Sequence, residues 1–197
     1  MADAYEFICR FAIFAACHSI LATVTVQSRV RKLLGNGWRF YRLGYNLLAM
    51  AMFGWVMAAY SNAPVTYLVP GGWGLLCYLG QAVLLLIIFR CAAQTGIGDF
   101  LGINQIRGRS ATATLITTGC YGKVRHPQYA LAVIFLLLNP VMTLKWLALT
   151  VLSTSYFVLG AVIEEKRMAA EFGEEFLRYR QETPMFLPRI RDSRHAE

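Results

Sequence analysis

Two short polar clusters interrupt an otherwise apolar C-terminal half. The first is Arg125-His126-Pro127-Gln128-Tyr129 and the second is Glu164-Glu165. Proline at a first helical position, with polar residues just before it, makes a good helix start. The free N–H groups of that first turn, beside an arginine and a histidine, favour an anionic ligand group. Taken alone, the pentapeptide reads better as a snorkelling arginine and a satisfied interfacial histidine. Carboxylates at membrane depth are costly and usually face a partner or a water-filled cavity. Alone, Glu164 and Glu165 read equally as a boundary pair matched by Lys166 and Arg167. Together the clusters bracket one helical hairpin, 127–163, and so fall at the same end of it. A basic helix N-terminus facing a carboxylate suits a zwitterion.

The elements that must hold these residues are apolar helices. The chain has 197 residues, 57% hydrophobic and only 15% charged, where soluble chains average nearer 25% charged. A soluble domain of this length could not hide that much apolar surface. A bilayer core needs about 20 helical residues to cross it. Four runs suffice, at roughly 5–26, 41–61, 69–93 and 141–163. A fifth, Tyr129 to Asn139, with Pro127 at its start, rises only about 20 Å. Asn139-Pro140 then offers a tight turn, because proline cannot continue one helix but can open the next. The expected fold is all-α: an integral membrane bundle of about five transmembrane helices with a helical hairpin (127–163).

Net charge is +8, but the basic residues fall between apolar runs, which speaks against nucleic acid and for loops flanking a bilayer. Arg29, Arg31, Lys32, Arg39 and Arg42 occupy the 27–42 loop. Arg107, Arg109, Lys123 and Arg125 occupy 94–126, and Lys166, Arg167, Arg178, Arg180, Arg189, Arg191 and Arg194 the tail. The 62–68 loop has neither Lys nor Arg, and the 139–145 turn has Lys145. Five spans with the N-terminus out and the C-terminus cytoplasmic place every basic stretch inside. Asp3 and Glu6 carry the wrong charge for a signal peptide, so the first span reads as retained. The expected location is a bacterial inner membrane. The tail from Glu164 to Glu182 reads as a cytoplasmic amphipathic helix with Met168, Phe172, Phe176 and Tyr179 along one face. Gly173 inside it suggests a joint. Cys9, Cys17, Cys77, Cys91 and Cys120 form no CxxC pair and no cluster at zinc spacing, so neither a disulfide framework nor a metal site is indicated.

Several ordered pieces carry a family resemblance. They are Thr114-Leu115-Ile116-Thr117-Thr118-Gly119-Cys120-Tyr121, then Arg125-His126-Pro127-Gln128-Tyr129, then Glu164-Glu165. Phe172-Gly173-Glu174-Glu175-Phe176-Leu177-Arg178-Tyr179 follows, then Pro184 and Leu187-Pro188. In this order and spacing the C-terminal half resembles the isoprenylcysteine carboxyl methyltransferase family and its bacterial relatives. The resemblance implies a single membrane methyltransferase domain over 1–197 that binds S-adenosylmethionine without a Rossmann fold. Residues 1–93 would supply three spans, 94–126 a cytoplasmic cofactor loop, 127–163 the hairpin and 164–197 the tail helix. The lone Gly96-Ile97-Gly98 is no dinucleotide fingerprint, in keeping with that. By the same resemblance Tyr121, His126, Pro127, Gln128, Tyr129 and the Ala113, Thr114, Leu115 and Ile116 backbone would line the cofactor. Glu164, with Glu165 beside it, would hold the methionine end, and Gln105 is a looser candidate.

The prenylcysteine enzymes carry an Arg four residues before the matching Glu, and here that position is Gly160. A site forming a methyl ester without its cation is hard to defend, which points away from a prenylcysteine acceptor. His18-Ser19, Leu101-Gly102-Ile103-Asn104-Gln105, Pro140-Val141-Met142-Thr143 and Thr183-Pro184-Met185-Phe186-Leu187-Pro188 resemble the methanethiol S-methyltransferase and NnrU-like branch. The expected reaction is methylation of a small or lipophilic thiol, with Arg125 lowering the thiol pKa and His18 helping it lose its proton. His18, Arg10 and Cys17 read equally as polar helix-packing residues. A prenylcysteine carboxylate or a phospholipid amine is the nearest rival acceptor. An NADPH-dependent sterol-reductase-like enzyme and a non-catalytic membrane protein are rivals of another class. No metal is expected.

Overall fold

The computed structural model describes residues 2–108 and 114–189. Helix α1 (Ala2–Leu21) leads to α2 (Val24–Leu34), a single 3-10 stretch and α3 (Tyr41–Met57). Thr23 caps α2 by accepting a hydrogen bond from the Val26 amide, as threonine does at this position. Helices α1 and α3 pack on the first turns of the long C-terminal helix. The seam is Phe7, Phe11, Val56, Ala59 and Leu149, all buried. Arg10 is absorbed into it: NH1 donates to the Trp55 carbonyl at 2.7 Å and Glu6 pairs with the guanidinium.

Strand β1 (Val65–Leu68) and helix α4 (Gly71–Gln94) follow, then two short helical turns, α5 (Ile97–Leu101) and α6 (Ile103–Ile106). Helix α7 (Pro127–Leu137) opens on the proline that the sequence marks as a helix start. It lies along α4, where Gly80 admits Leu138 and the Gln81 amide donates to the Phe135 carbonyl at 3.0 Å. Strand β2 (Val141–Thr143), α8 (Leu144–Phe172) and α9 (Glu174–Glu182) complete the described chain.

Three expectations are corrected. The fold is mostly helical but not all-α. β1 and β2 form an antiparallel ribbon, with Val65 opposite Thr143 and Leu68 opposite Val141. The Asn139-Pro140 turn is therefore a strand-bearing connection, and Thr143 rather than Pro140 starts the next helix, accepting from the Trp146 amide. No tail helix starts at Glu164 either. α8 runs 29 residues straight through both glutamates and stops at Gly173, whose φ of +54° lets the chain turn into α9. The joint inferred at Gly173 is there. Finally, Cys91 at the end of α4 is disulfide-bonded to Cys120, against the expectation of unpaired cysteines.

The protein is an integral membrane protein. Asp3–Leu21, Gly71–Gln94 and Leu144–Phe172 are long and apolar enough to cross a bilayer. Their large side chains face outward, Leu86 at 70% and Leu159 at 64% exposure, a surface that water would penalise and lipid does not. α3, with 17 residues, and α7, with 11, are shorter.

Candidate active site

Helix α8 presents Glu164 and Glu165 where the segment 125–129 enters α7, and the two adjacent carboxylates have different company. Glu165 is buried. Its Oε1 accepts from Arg125 Nε at 2.7 Å and from His126 Nε2 at 3.2 Å. Arg125 NH1 also donates to the Arg180 carbonyl at 3.1 Å and to that of Thr183. The cluster is thus closed by its own hydrogen bonds, as a buried ion pair must be. Glu164 is half-exposed, its Oε2 accepting from the Tyr129 hydroxyl at 3.1 Å and lying 3.7 Å from His126 Nδ1. Its remaining lone pairs are open to a ligand.

The backbone around these side chains is pinned by a strap. The amides of Arg125 and His126 donate to the carbonyls of Pro184 and Met185, at 2.8 and 3.0 Å. The first helical amide bond of α7 is Ala130 to His126, so the Gln128 and Tyr129 amides lie in the unsatisfied first turn. The His126 and Tyr129 rings stack at 5.4 Å, and Phe157 stacks on Tyr129 at 5.1 Å. Tyr121 is half-buried and its carbonyl accepts from the Tyr179 hydroxyl at 2.6 Å. Burial raises the pKa of the Tyr121 phenol, against a Thr95 hydrogen bond that lowers it. Burial pushes Tyr179 up to about 12. Both phenols therefore stay protonated at neutral pH.

The sequence-derived candidates divide into three groups. Tyr121, Arg125, His126, Pro127, Gln128, Tyr129, Glu164 and Glu165 converge on this one end of the α7–α8 hairpin. Thr114, Leu115 and Ile116 form an irregular segment before it, and Ala113 lies outside the described residues. Gln105 is set against the α2–α3 segment, beside Gln27, Trp38, Tyr41, Arg42 and Tyr45.

His18 reaches the hairpin through aromatic neighbours that sequence reading missed. Tyr45 hydroxyl is 2.9 Å from His18 Nε2, and Ser19 and Tyr156 hydroxyls share a 2.9 Å hydrogen bond. The Tyr156 ring lies 6.3 Å from His18 and 6.4 Å from Phe157, which stacks on Tyr129. The signal for Tyr156 was present: Tyr156, Gly160 and Glu164 recur every four residues on one helix face. A Cβ at Gly160 would meet nothing within 4 Å, so the position between them is open space.

The chain belongs to the phospholipid methyltransferase family, whose model matches residues 71–175. It is 33% identical over 124 residues to a methanethiol S-methyltransferase of a Pseudomonas species, covering 61% of this chain and 48% of that protein. It is 30% identical over 125 residues to the protein-S-isoprenylcysteine O-methyltransferase of Xenopus laevis, covering 58% and 43%. The human enzyme of that name is 31% identical over the same coverage. The chain thus matches about half the length of these relatives or less. No solved structure matches it.

Proposed function

We propose that the protein is an S-adenosylmethionine-dependent membrane methyltransferase that methylates a thiol. One observation carries this reading: the half-exposed Glu164 carboxylate faces the unsatisfied first turn of α7 across the Tyr129 hydroxyl. That donor set matches a zwitterion. Glu164 accepts from an ammonium, and the Gln128 and Tyr129 amides donate to a carboxylate. Tyr121, His126 and Pro127 wall the same end, with the Ala113–Ile116 backbone leading into it. Arg125 and Glu165 act by positioning, since their hydrogen bonds hold the strap and the His126 ring.

S-adenosylmethionine supplies a methyl group on a sulfonium, so the protein's task is orientation and exclusion of water. His18 accepts the thiol proton while Tyr45 holds the imidazole, and the thiolate sulfur then becomes the nucleophile. Gly160 in place of a cation favours the thiol over a prenylcysteine carboxylate. The shared family leaves a phospholipid amine as the second reading. The domain is a single one spanning 1–197, and the basic loops set its N-terminus outside and its C-terminus in the cytoplasm of a bacterial inner membrane. α3 and α7 complete a five-span bundle, α3 rising about 26 Å.

Calorimetry of S-adenosylmethionine with detergent-purified protein tests the reading. Wild type binds, and Glu164→Ala and His126→Ala each lose measurable binding. No binding by folded wild type would sink the proposal.

A further inference from the structure

The segment between α1 and α3 carries charge that nothing nearby in the chain answers. Helix α2 holds Arg29, Arg31 and Lys32, and the 3-10 stretch (Gly35–Phe40) holds Arg39. The sequence has no Asp or Glu between Glu6 and Asp99. Among the described residues the ion pairs belong to Arg10, Arg125 and His126, so these four cations pair with no carboxylate there. The tail differs, since Arg178 has Glu174 and Glu175 within one helical turn. A cluster of unanswered cations at the end of a membrane span attracts an anion from outside the chain.

The apolar side of α2 identifies the source of that anion. Val26, Val30, Leu33 and Leu34 fall within an arc of about 100° around the helix. Ser28 and Lys32 lie opposite, and Arg29 and Arg31 stand at the two borders. No residue of α2 is buried, and Leu33 is 84% exposed. With 11 residues α2 is too short to cross a bilayer, and a helix with one apolar and one basic side lies in the membrane interface. Its place in the chain fits. Thr23 caps α2 two residues after the end of α1, whose Asp3–Leu21 stretch is long and apolar enough to span. The Tyr41 hydroxyl donates to the Leu21 carbonyl at 2.6 Å and closes the base of the segment. Trp38 stacks on Tyr41 at 4.7 Å, and such rings favour headgroup depth. A nucleic acid would use the cations and leave the leucines in water.

We infer that α2 and the 3-10 stretch form a docking surface for anionic phospholipid. Val26, Val30, Leu33 and Leu34 enter the acyl region, while Arg29, Arg31, Lys32 and Arg39 hold headgroup phosphates. The border arginines reach past the apolar stripe on their long stems. The surface lies before residues 71–175, the stretch that the family model matches, and lipid docking there requires no methyl transfer.

Native mass spectrometry of the full-length protein in detergent tests this, with equimolar dioleoylphosphatidylglycerol and dioleoylphosphatidylcholine. The two lipids share their chains and differ in net charge. Each cation near an anionic lipid surface is worth about a fivefold change in affinity. Wild type therefore retains phosphatidylglycerol preferentially, and Arg29→Gln, Arg31→Gln and Lys32→Gln together lower its affinity about a hundredfold while phosphatidylcholine adducts stay. Arg29→Lys with Arg31→Lys keeps the preference and guards against a fold defect. Hydrogen exchange at residues 24–40 is slower in phosphatidylglycerol nanodiscs than in phosphatidylcholine ones, and the triple variant loses the difference. Equal retention of both lipids by wild type, a preference that survives in the triple variant, or exchange indifferent to the lipid overturns the inference. Displacement of phosphatidylglycerol by a short single-stranded RNA overturns the assignment to lipid.

Discussion

The two ends of the polar interior are built differently. Around Glu165 the side chains are locked: one carboxylate takes Arg125 and His126, and Arg125 takes two carbonyls of the C-terminal segment. Around His18 the contacts are aromatic, with Phe14, Tyr45 and Tyr156 rings 5.0 to 6.3 Å away. Charge networks fix geometry because breaking them strands a charge, whereas aromatic packing accepts small rearrangements at low cost. The end proposed to hold the cofactor takes the first form, and the surroundings of His18 take the second.

Arg125→Ala is the hardest test of this contrast. It leaves Glu165 buried without its cation, and loss of one partner of such a pair costs about 3–5 kcal/mol. Thermal unfolding in detergent should show the largest drop here, and a drop no larger than that of Tyr45→Phe would erase the distinction. Gly119→Ala comes next. Gly119 has φ of +64°, and Gln94 occupies the space a Cβ would need while its Oε1 accepts from the Cys120 amide at 3.1 Å. Strain of this kind costs about 1–3 kcal/mol. Adding Gln94→Ala should recover part of the loss in the same unfolding assay, and full additivity would refute the clash. Tyr156→Phe removes one hydrogen bond to Ser19, worth about 1 kcal/mol. A larger change in acceptor KM than in stability would sharpen the comparison.

A further effect is with pH. Burial pushes the Tyr179 phenol up to about 12, against 10.0 for a free phenol. Between those values the unfolded chain has lost a proton that the folded chain keeps, so stability falls as pH rises from about 10 to about 12. Absorbance near 295 nm should show a phenol titrating in that range that Tyr179→Phe removes.

What could be read beforehand followed from local chemistry. Apolar runs marked the long helices, Pro127 marked the start of α7, and Gly173 marked a joint because only a residue tolerant of positive φ ends a helix that way. The ribbon was invisible, since Val65–Leu68 and Val141–Thr143 are short strands whose partners lie over seventy residues apart. α8 was cut short at Glu164 because charge was taken to end a helix, whereas Arg125, His126 and Tyr129 carry those carboxylates through it. The Thr183–Phe186 strap escaped because backbone bonds to Pro184 and Met185 leave no trace in side-chain pattern. Cys91 and Cys120 looked unrelated in spacing. They meet because α4 ends where the 114–121 segment returns, with Cα atoms 5.7 Å apart.

When oxidised, the Cys91–Cys120 pair changes the topology of the chain, and a reducing cytoplasm would open it again. Everything between Cys91 and Cys120 becomes a closed ring hung from the last turn of α4, with Gln105 on its circumference and Tyr121 just outside it. A protease cutting anywhere inside it should leave a product that migrates as one chain until a reductant is added, and as two afterwards.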